Sequence, residues 1–555
     1  MHTVFKKLKL AESKVLFSPT LIISVILLSF ELKWSNNTRW SLFLVYMTFL
    51  VYLKRNKKST LNWTLGLYFS ISVFSSFAFF NNQPNRAMQF LSYGYDHAFH
   101  FTLFRGFIET SWYPNVDLAN WFTDFQLFTN GPLGYYSLSS FVLHPFSMIK
   151  SNPEFLLILY ASFQIFTIFL LVWLTFNCIT DFVMTNKTEK NFIAVLSLLV
   201  VFCLPVTLLF NGFPPYFMSI ILILVWLKYD SRNMNTWQKN LTLSLCIYAV
   251  SMVTPAPSLF LFLSAVLSTF REFRNLIKGE QLIASLKNLS PFIFVGGIVL
   301  WSFSKSSAGL GWRQLLQPGG LQNINVVIAI TILIITCVSL AKNFKGSSSD
   351  DLSVIVISGM LSVFAFSLLA ITFTGNLQYY AIKQIYVALF FSSIYFVRSF
   401  KSYKHRSILN LFLVGLLIIP VFNPIFYKGG FMGVPPRVLA STFQEESWKT
   451  APVNSSKIMA VEGLTKSDNG VCYVWRSKNP FTDMDLNSRW LNAMKAKNII
   501  SEKCFSAYWN NVQFSDRDLQ AKLSKIEDNF VILTELPLPK EDDENITYVI
   551  ISDKE

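Results

Sequence analysis

The sequence predicts a polytopic α-helical membrane protein of about 13 spans followed by a small C-terminal soluble α/β domain. Composition is the first ground: 52% of the 555 residues are hydrophobic and only 14% charged, about half the charged share of a soluble domain. Mean hydropathy is +0.42, and Phe occurs 55 times. The third ground is arrangement, because the apolar residues gather into long runs separated by short basic loops.

Runs fit to cross a bilayer lie at 16–33, 39–54, 62–80, 155–177, 192–211, 213–228, 241–254, 256–270, 289–304, 324–342, 352–373, 380–398 and 407–427. The stretch 241–270 is divided because Pro255 and Pro257 break it. Basic residues at Lys6–Lys14, Lys54–Lys58, Lys187–Lys190, Lys228–Lys239, Arg271–Lys287, Lys342–Lys345 and Arg398–Arg406 mark the cytoplasmic loops. With the N-terminus inside, thirteen spans satisfy all of them and leave the C-terminal tail outside. The apolar stretch 134–150 would ruin this register by crossing, so it is expected as a re-entrant or surface helix on the outer side. No cleavable signal peptide is expected, since the first apolar run lacks a small-residue cleavage site.

Two domains follow: residues 1–427 in the membrane and 428–555 outside it. Strand-like runs in the tail fall at Lys457–Val461, Val471–Trp475, Phe530–Leu533 and Thr547–Ile551, with helical pattern at 486–498 and 516–526. The net charge of +15 is topological. The tail holds 16 Lys and Arg against 18 Asp and Glu, so the excess lies in 1–427, with 31 basic and 14 acidic residues. A nucleic-acid partner is disfavoured. Cys178, Cys203, Cys246 and Cys337 accompany apolar runs without metal-ligand spacing. Cys472 and Cys504, in the outer tail, form a disulfide candidate.

Chemistry is sought where ionisable groups are not needed for topology. Only 13 acidic residues occur in 15–427, and four of them, Asp96, Glu109, Asp117 and Asp124, share the outer loop 81–133. Two of the five histidines, His97 and His100, stand there with Arg105. On a helix Asp96 and His100 share a face, and Phe99, Leu103 and Phe107 form an adjoining apolar stripe suited to the membrane surface. One reading is an interfacial loop with its polar side in water. Another is a carboxylate at a cavity mouth that removes a proton from a hydroxyl, assisted by Asp117 and Asp124. Asp96 and His100 could also hold a divalent metal, although two ligands alone define no site. Elsewhere Tyr379, Tyr380 and Lys383 open a span at its outer end, where Lys383 could neutralise a phosphate or simply snorkel. Arg313, in Gly311-Trp312-Arg313-Gln314, could pair with phosphate or anchor the interface.

The outer loop with its acid, the Pro132-Leu133-Gly134-Tyr135-Tyr136 opening to an apolar helix, the dozen or so spans and the outer tail together resemble the GT-C superfamily. Its members are membrane glycosyltransferases that use polyprenyl-phosphate-linked sugars. The Asp96-x-x-Phe99-His100 stretch followed by Arg105 is similar to a motif of bacterial proteins in that group. The Tyr379-Tyr380-x-x-Lys383 pattern looks like one near the late spans of its arabinofuranosyltransferases. The resemblance implies Asp96 as the base on the acceptor hydroxyl, and His97, His100 and Arg105 as contacts to acceptor or donor phosphate. Here the loop follows the third apolar run rather than the first, and no Asp-Asp or Asp-Glu doublet accompanies Asp96.

The expected partners are a polyprenyl-phosphate-linked sugar donor, a glycan, lipid or protein acceptor outside the cytoplasm, and membrane lipids. A bacterial inner or plasma membrane suits the Lys-rich N-terminus. A transporter or flippase is the weaker alternative, since mid-span charges and internal repeats are scarce. A non-catalytic scaffold is the other, and it would make Asp96 dispensable.

Overall fold

The computed structural model describes residues 18–32, 34–55, 63–94, 96–110, 133–180, 187–231, 234–279, 282–305, 326–343, 351–374, 379–399, 415, 453, 455–460, 472–476, 485–495, 530–534 and 546–550. It is mostly helical. In chain order the helices are α1 Pro19–Glu31, α2 Asn36–Arg55, α3 Trp63–Ala78, α4 Pro84–Ser92, α5 His97–Thr110, α6 Gly134–Ser147, α7 Pro153–Thr180, α8 Lys187–Cys203, α9 Pro205–Phe210 and α10 Pro214–Val225. They continue as α11 Thr236–Val253, α12 Pro255–Ile277, α13 Leu282–Lys305, α14 Val326–Asn343, α15 Asp351–Thr374 and α16 Tyr379–Ser399. Among the described residues three helical segments are long and apolar enough to cross a membrane: Pro153–Thr180, Ile193–Phe210 and Asp351–Phe373. Large apolar side chains also face outward, including Phe74, Phe270, Ile293, Phe294 and Phe364. Such a surface would aggregate in water and suits lipid.

Local chemistry explains where helices begin. The Ser18 hydroxyl accepts from the Leu21 amide at 3.2 Å and caps α1. Asn235 and Gln238 form a reciprocal capping box on α11. The expected break before Pro255 is present, with Thr254 extended between α11 and α12. The expected run 192–211 is interrupted at Leu204, because Pro205 lacks the amide that would continue α8 and instead starts α9.

α10 ends in a π turn at Trp226–Asp230. There the Asp230 carboxylate accepts from the Thr20 amide at 3.3 Å and from the Thr20 hydroxyl, tying the start of α1 to the end of α10. Burial raises the Asp230 carboxyl to about 6, against the opposing effect of the Thr20 and Ser18 bonds. Lys239 and Asp351 form an ion pair between the starts of α11 and α15. The opposite end of α10, at Pro214, lies roughly 25 Å away by helix rise.

α6 occupies the stretch whose crossing was in question and contains Pro145. Trp40 of α2 stacks on Phe141 at 4.7 Å and donates to its carbonyl at 3.0 Å. At its start, a Cβ on Gly134 would stand 2.4 Å from the Met252 carbonyl oxygen of α11, so only glycine admits that approach.

In the C-terminal part, α17 Ser455–Ala460 and α18 Asp485–Lys495 accompany β1 Cys472–Arg476, β2 Phe530–Thr534 and β3 Ile546–Ile550. The three strands are parallel in the order β1-β2-β3, with Cys472 opposite Phe530 and Phe530 opposite Ile546. The run Lys457–Val461, expected as a strand, is instead helical through Ala460. Lys, Met and Ala favour helix, and one buried Ile458 per turn satisfies a helix that packs on one side. The expected helix 516–526 and span 407–427, position 415 apart, lie outside the described residues.

Candidate functional site

α5 was expected at the membrane surface, but it is enclosed. Phe99, Phe101, Leu103, Phe104 and Phe107 are all buried, and so are His97 and His100. α6 and α7 pack against it from the membrane part, and α18 from the tail. The difference arises because α5 is apolar around most of its circumference, so no wet face exists once its neighbours are in place.

Asp96 immediately precedes α5, and its carbonyl accepts from the His100 amide at 2.9 Å, so the acid stands at the helix entrance. Opposite is the turn between α9 and α10. Gly212 adopts φ +89°, which favours glycine. A Cβ there would lie 3.0 Å from the Asp96 amide nitrogen, and a Cβ on Gly94 would lie 2.6 Å from the Gly212 nitrogen. Two glycines therefore let two backbone segments touch and bring Asp96 over the turn.

The histidines fasten this contact. The His97 Nε2 donates to the Leu209 carbonyl at 2.8 Å, and the His100 Nε2 donates to the Gly212 carbonyl at 2.9 Å. The Tyr136 hydroxyl of α6 donates to His100 Nδ1. His100, which donates from one ring nitrogen and accepts at the other, is therefore neutral. Burial pushes His97 down to about 4. It pushes His100 well below the ordinary histidine value, aided by electrostatic coupling to His97 and by Lys383, against the bond to the Gly212 carbonyl. With both ring nitrogens engaged, His100 offers neither a metal ligand nor a phosphate donor without giving up a bond. His97 keeps a buried Nδ1 that has no hydrogen-bond partner.

Lys383, in the second turn of α16, completes the cluster. Its side chain is buried, with Nζ 3.7 Å from the Phe213 ring centre and 5.0 Å from that of Tyr216. Asp96 is within electrostatic reach of Lys383 and of Tyr136. The fold thus brings Lys383 from a distant part of the chain to the local group Asp96, His97 and His100.

The other candidates are placed differently. The Arg105 guanidinium donates to the carbonyls of Ala493 and Met494 in α18, at 3.1 and 3.5 Å. Tyr379 and Tyr380 begin α16. Cys472 begins β1. Asp117, Asp124, Arg313 and Cys504 lie outside the described residues, so the disulfide and the outer assisting acids do too. Cys178, Cys203 and Cys246 are buried and Cys337 is exposed, and none of the four takes part in a disulfide. Among the described residues no three His, Cys, Asp or Glu side chains are grouped as metal ligands.

Sequence reasoning did not single out Gly94, Gly212, Phe213, Tyr216 or Tyr136 as functional. Local signals were the Leu133-Gly134-Tyr135-Tyr136 opening of an apolar run and Asn211-Gly212-Phe213-Pro214, a turn sequence between two apolar runs. Fold and site together define a mostly helical protein equipped for a membrane, with half-buried Asp96 beside buried His97, His100 and Lys383 where the starts of α5 and α16 meet the turn between α9 and α10. No family model, curated protein or solved structure matches the chain.

Proposed function

We propose that the chain is a membrane glycosyltransferase that moves a sugar from a polyprenyl-phosphate donor to an acceptor outside the cytoplasm. One observation carries the reading: an acid at a helix entrance and a buried lysine, far apart in sequence, meet in one apolar-walled cluster. Asp96 takes the proton of the acceptor hydroxyl while that oxygen attacks the anomeric carbon. The bond from that carbon to the phosphate oxygen breaks with inversion, and the polyprenyl phosphate leaves with its charge met by Lys383. Arg313, Tyr379 and Tyr380 belong to the donor side in this reading, and Asp117 and Asp124 to the acceptor side. His97 and His100 hold the turn that carries Phe213, and no step requires a metal.

The same proposal includes thirteen spans in the plasma membrane of a bacterium, with the N-terminus cytoplasmic. The start of α1 meets the Asp230 end of α10, whereas the cluster sits at the Pro214 end, which supports opposite sides for the two. Three parallel strands and α18 support the tail as a small α/β domain on the side of the cluster.

The test supplies radiolabelled polyprenyl-phosphate sugars to membranes that contain wild type or Asp96→Asn protein at matched levels. Consumption of one donor by wild type alone is expected. Equal consumption by both, or by neither, overturns the reading and moves a scaffold or flippase ahead.

A further inference from the structure

α5 carries two sets of contacts, with the cluster at its first turn and the tail further along. Arg105 lies nine residues beyond Asp96, roughly 14 Å along the helix axis, too far to share a small ligand with it. Its guanidinium instead donates to the Ala493 and Met494 carbonyls, in the last described turn of α18. One turn back on each helix, Phe101 stacks on the fully buried Trp490 at 6.2 Å. The two contacts share an i, i+4 spacing on both helices, so α18 lies along α5 as a splint.

The splint is fixed at its far side. The Ser488 hydroxyl of α18 accepts from the Trp475 amide of β1 at 2.7 Å. A second tail helix, α17, packs on α4, the helix that leads into Gly94. Gly94–Asp96 is therefore a short link between two helices, each held by a helix of the tail. Within the cluster, the close approach of Gly94 and Gly212 leaves no slack, so a shift of α5 moves Asp96 relative to Lys383.

We propose that the tail is a clamp for the site, in which Arg105 and Trp490 are positioning residues that fix α5 and thereby set Asp96 opposite Lys383. As a statement about catalysis this rests on Asp96 being the base, but the clamp itself is measurable without activity. The full-length protein in lipid nanodiscs is compared with Arg105→Gln, Arg105→Lys and Trp490→Leu by amide hydrogen exchange. A hydrogen bond from a charged donor supports exchange at least about tenfold faster across His97–Leu103 in Arg105→Gln. Trp490→Leu should do the same through packing, and α11 should remain unchanged in both. Arg105→Lys, which keeps a cation and N–H donors for the carbonyls, should restore most of the protection. In the transfer assay kcat should fall about tenfold in the loosened variants, with KM for the donor within about twofold. Unchanged exchange at His97–Leu103 in both Arg105→Gln and Trp490→Leu overturns the clamp. Loosened exchange with an unchanged kcat overturns the positioning role. If wild type transfers no sugar, the transferase reading fails, and the exchange pattern alone upholds or overturns the clamp.

Discussion

Replacing Gly94 by alanine probes the contact on which the cluster depends. The added Cβ would sit 2.3 Å from His97 Cδ2, 2.6 Å from the Gly212 nitrogen and 2.8 Å from the Gly212 Cα. Carbon atoms in contact prefer roughly 3.5–4.0 Å, so the segments must part by about 1 Å. The imidazole cannot simply swing aside, because its Nε2 is bonded to the Leu209 carbonyl. Overpacking of this kind costs about 1–3 kcal/mol, and loss of the buried hydrogen bond adds about 1 kcal/mol. Gly212→Ala carries a different burden, about 1–2 kcal/mol for a side chain at positive φ, plus the milder clash at 3.0 Å with the Asp96 amide. Either change already separates the two segments, so the double variant should fall short of the summed cost by about 1 kcal/mol or more. Membrane proteins commonly unfold irreversibly, so the assay is the half-life of heated protein in nanodiscs. Gly94→Ala should shorten it about thirtyfold or more, on the scale of about tenfold per 1.4 kcal/mol. A half-life within about twofold of wild type, or fully additive losses, would refute the argument from close approach.

Two further outcomes follow from the histidines. Tyr136→Phe leaves the buried His100 Nδ1 without its donor, and should cost about 1–3 kcal/mol of thermal stability, whereas Phe141→Leu on the same helix serves as the packing control. Both imidazoles titrate below their unfolded value, so their contribution is complete above about pH 6.5; that of His97 is lost as the pH falls toward 4, and that of His100 falls in the same direction. For His97 alone that loss is on the order of 3 kcal/mol. Asp230 acts in the opposite sense, since its raised carboxyl stabilises the fold below its unfolded value and loses that effect as the pH rises through about 6. Thermal melts between pH 7 and 4 should therefore show a steeper acid loss in Asp230→Asn than in wild type, and a shallower one in His97→Gln. Parallel curves for all three proteins would contradict the assignment of these groups.

What the sequence made legible depended on the range of the signal. Charge scarcity pointed to Asp96, His97, His100 and Lys383 because an ionisable side chain in an apolar chain needs a reason that one sequence can display. Helix positions followed from apolar runs, and Pro255 marked one break, whereas the break at Pro205 inside the expected run 192–211 was passed over. Gly94 and Gly212 were invisible as a pair, because their relation is a contact between distant segments with no local pattern. The burial of α5 was missed for a related reason. A helix with an apolar stripe at Phe99, Leu103 and Phe107 reads as surface-seeking until α6, α7 and α18 are known to cover it. The helix at Ser455–Ala460 shows the limit of short runs, where five or six residues satisfy either periodicity.

The meeting of Asp96 and Lys383 can be tested by charge alone. Lys383 is 4% exposed and lies against two aromatic rings, whereas Asp96 is only half-buried. Removing one member of a fully buried pair costs about 3–5 kcal/mol, and the half-burial of Asp96 and the freedom of a buried lysine to give up its proton make that an upper bound here. Here the cost must be unequal. Lys383→Gln leaves a carboxylate that water can still reach, but Asp96→Asn takes the carboxylate from an ammonium that water barely reaches. Asp96→Asn should therefore be the more destabilising single change, and adding Lys383→Gln to it should recover stability rather than lose more. Recovery in the double variant requires that the two charges share one environment. Under the proposed chemistry the same inequality has a use: a donor phosphate that arrives beside Lys383 replaces the carboxylate as its counter-charge and leaves Asp96 free to accept a proton. If the double variant is less stable than both single variants, the two residues act independently, and neither the charge pair nor this exchange of partners survives.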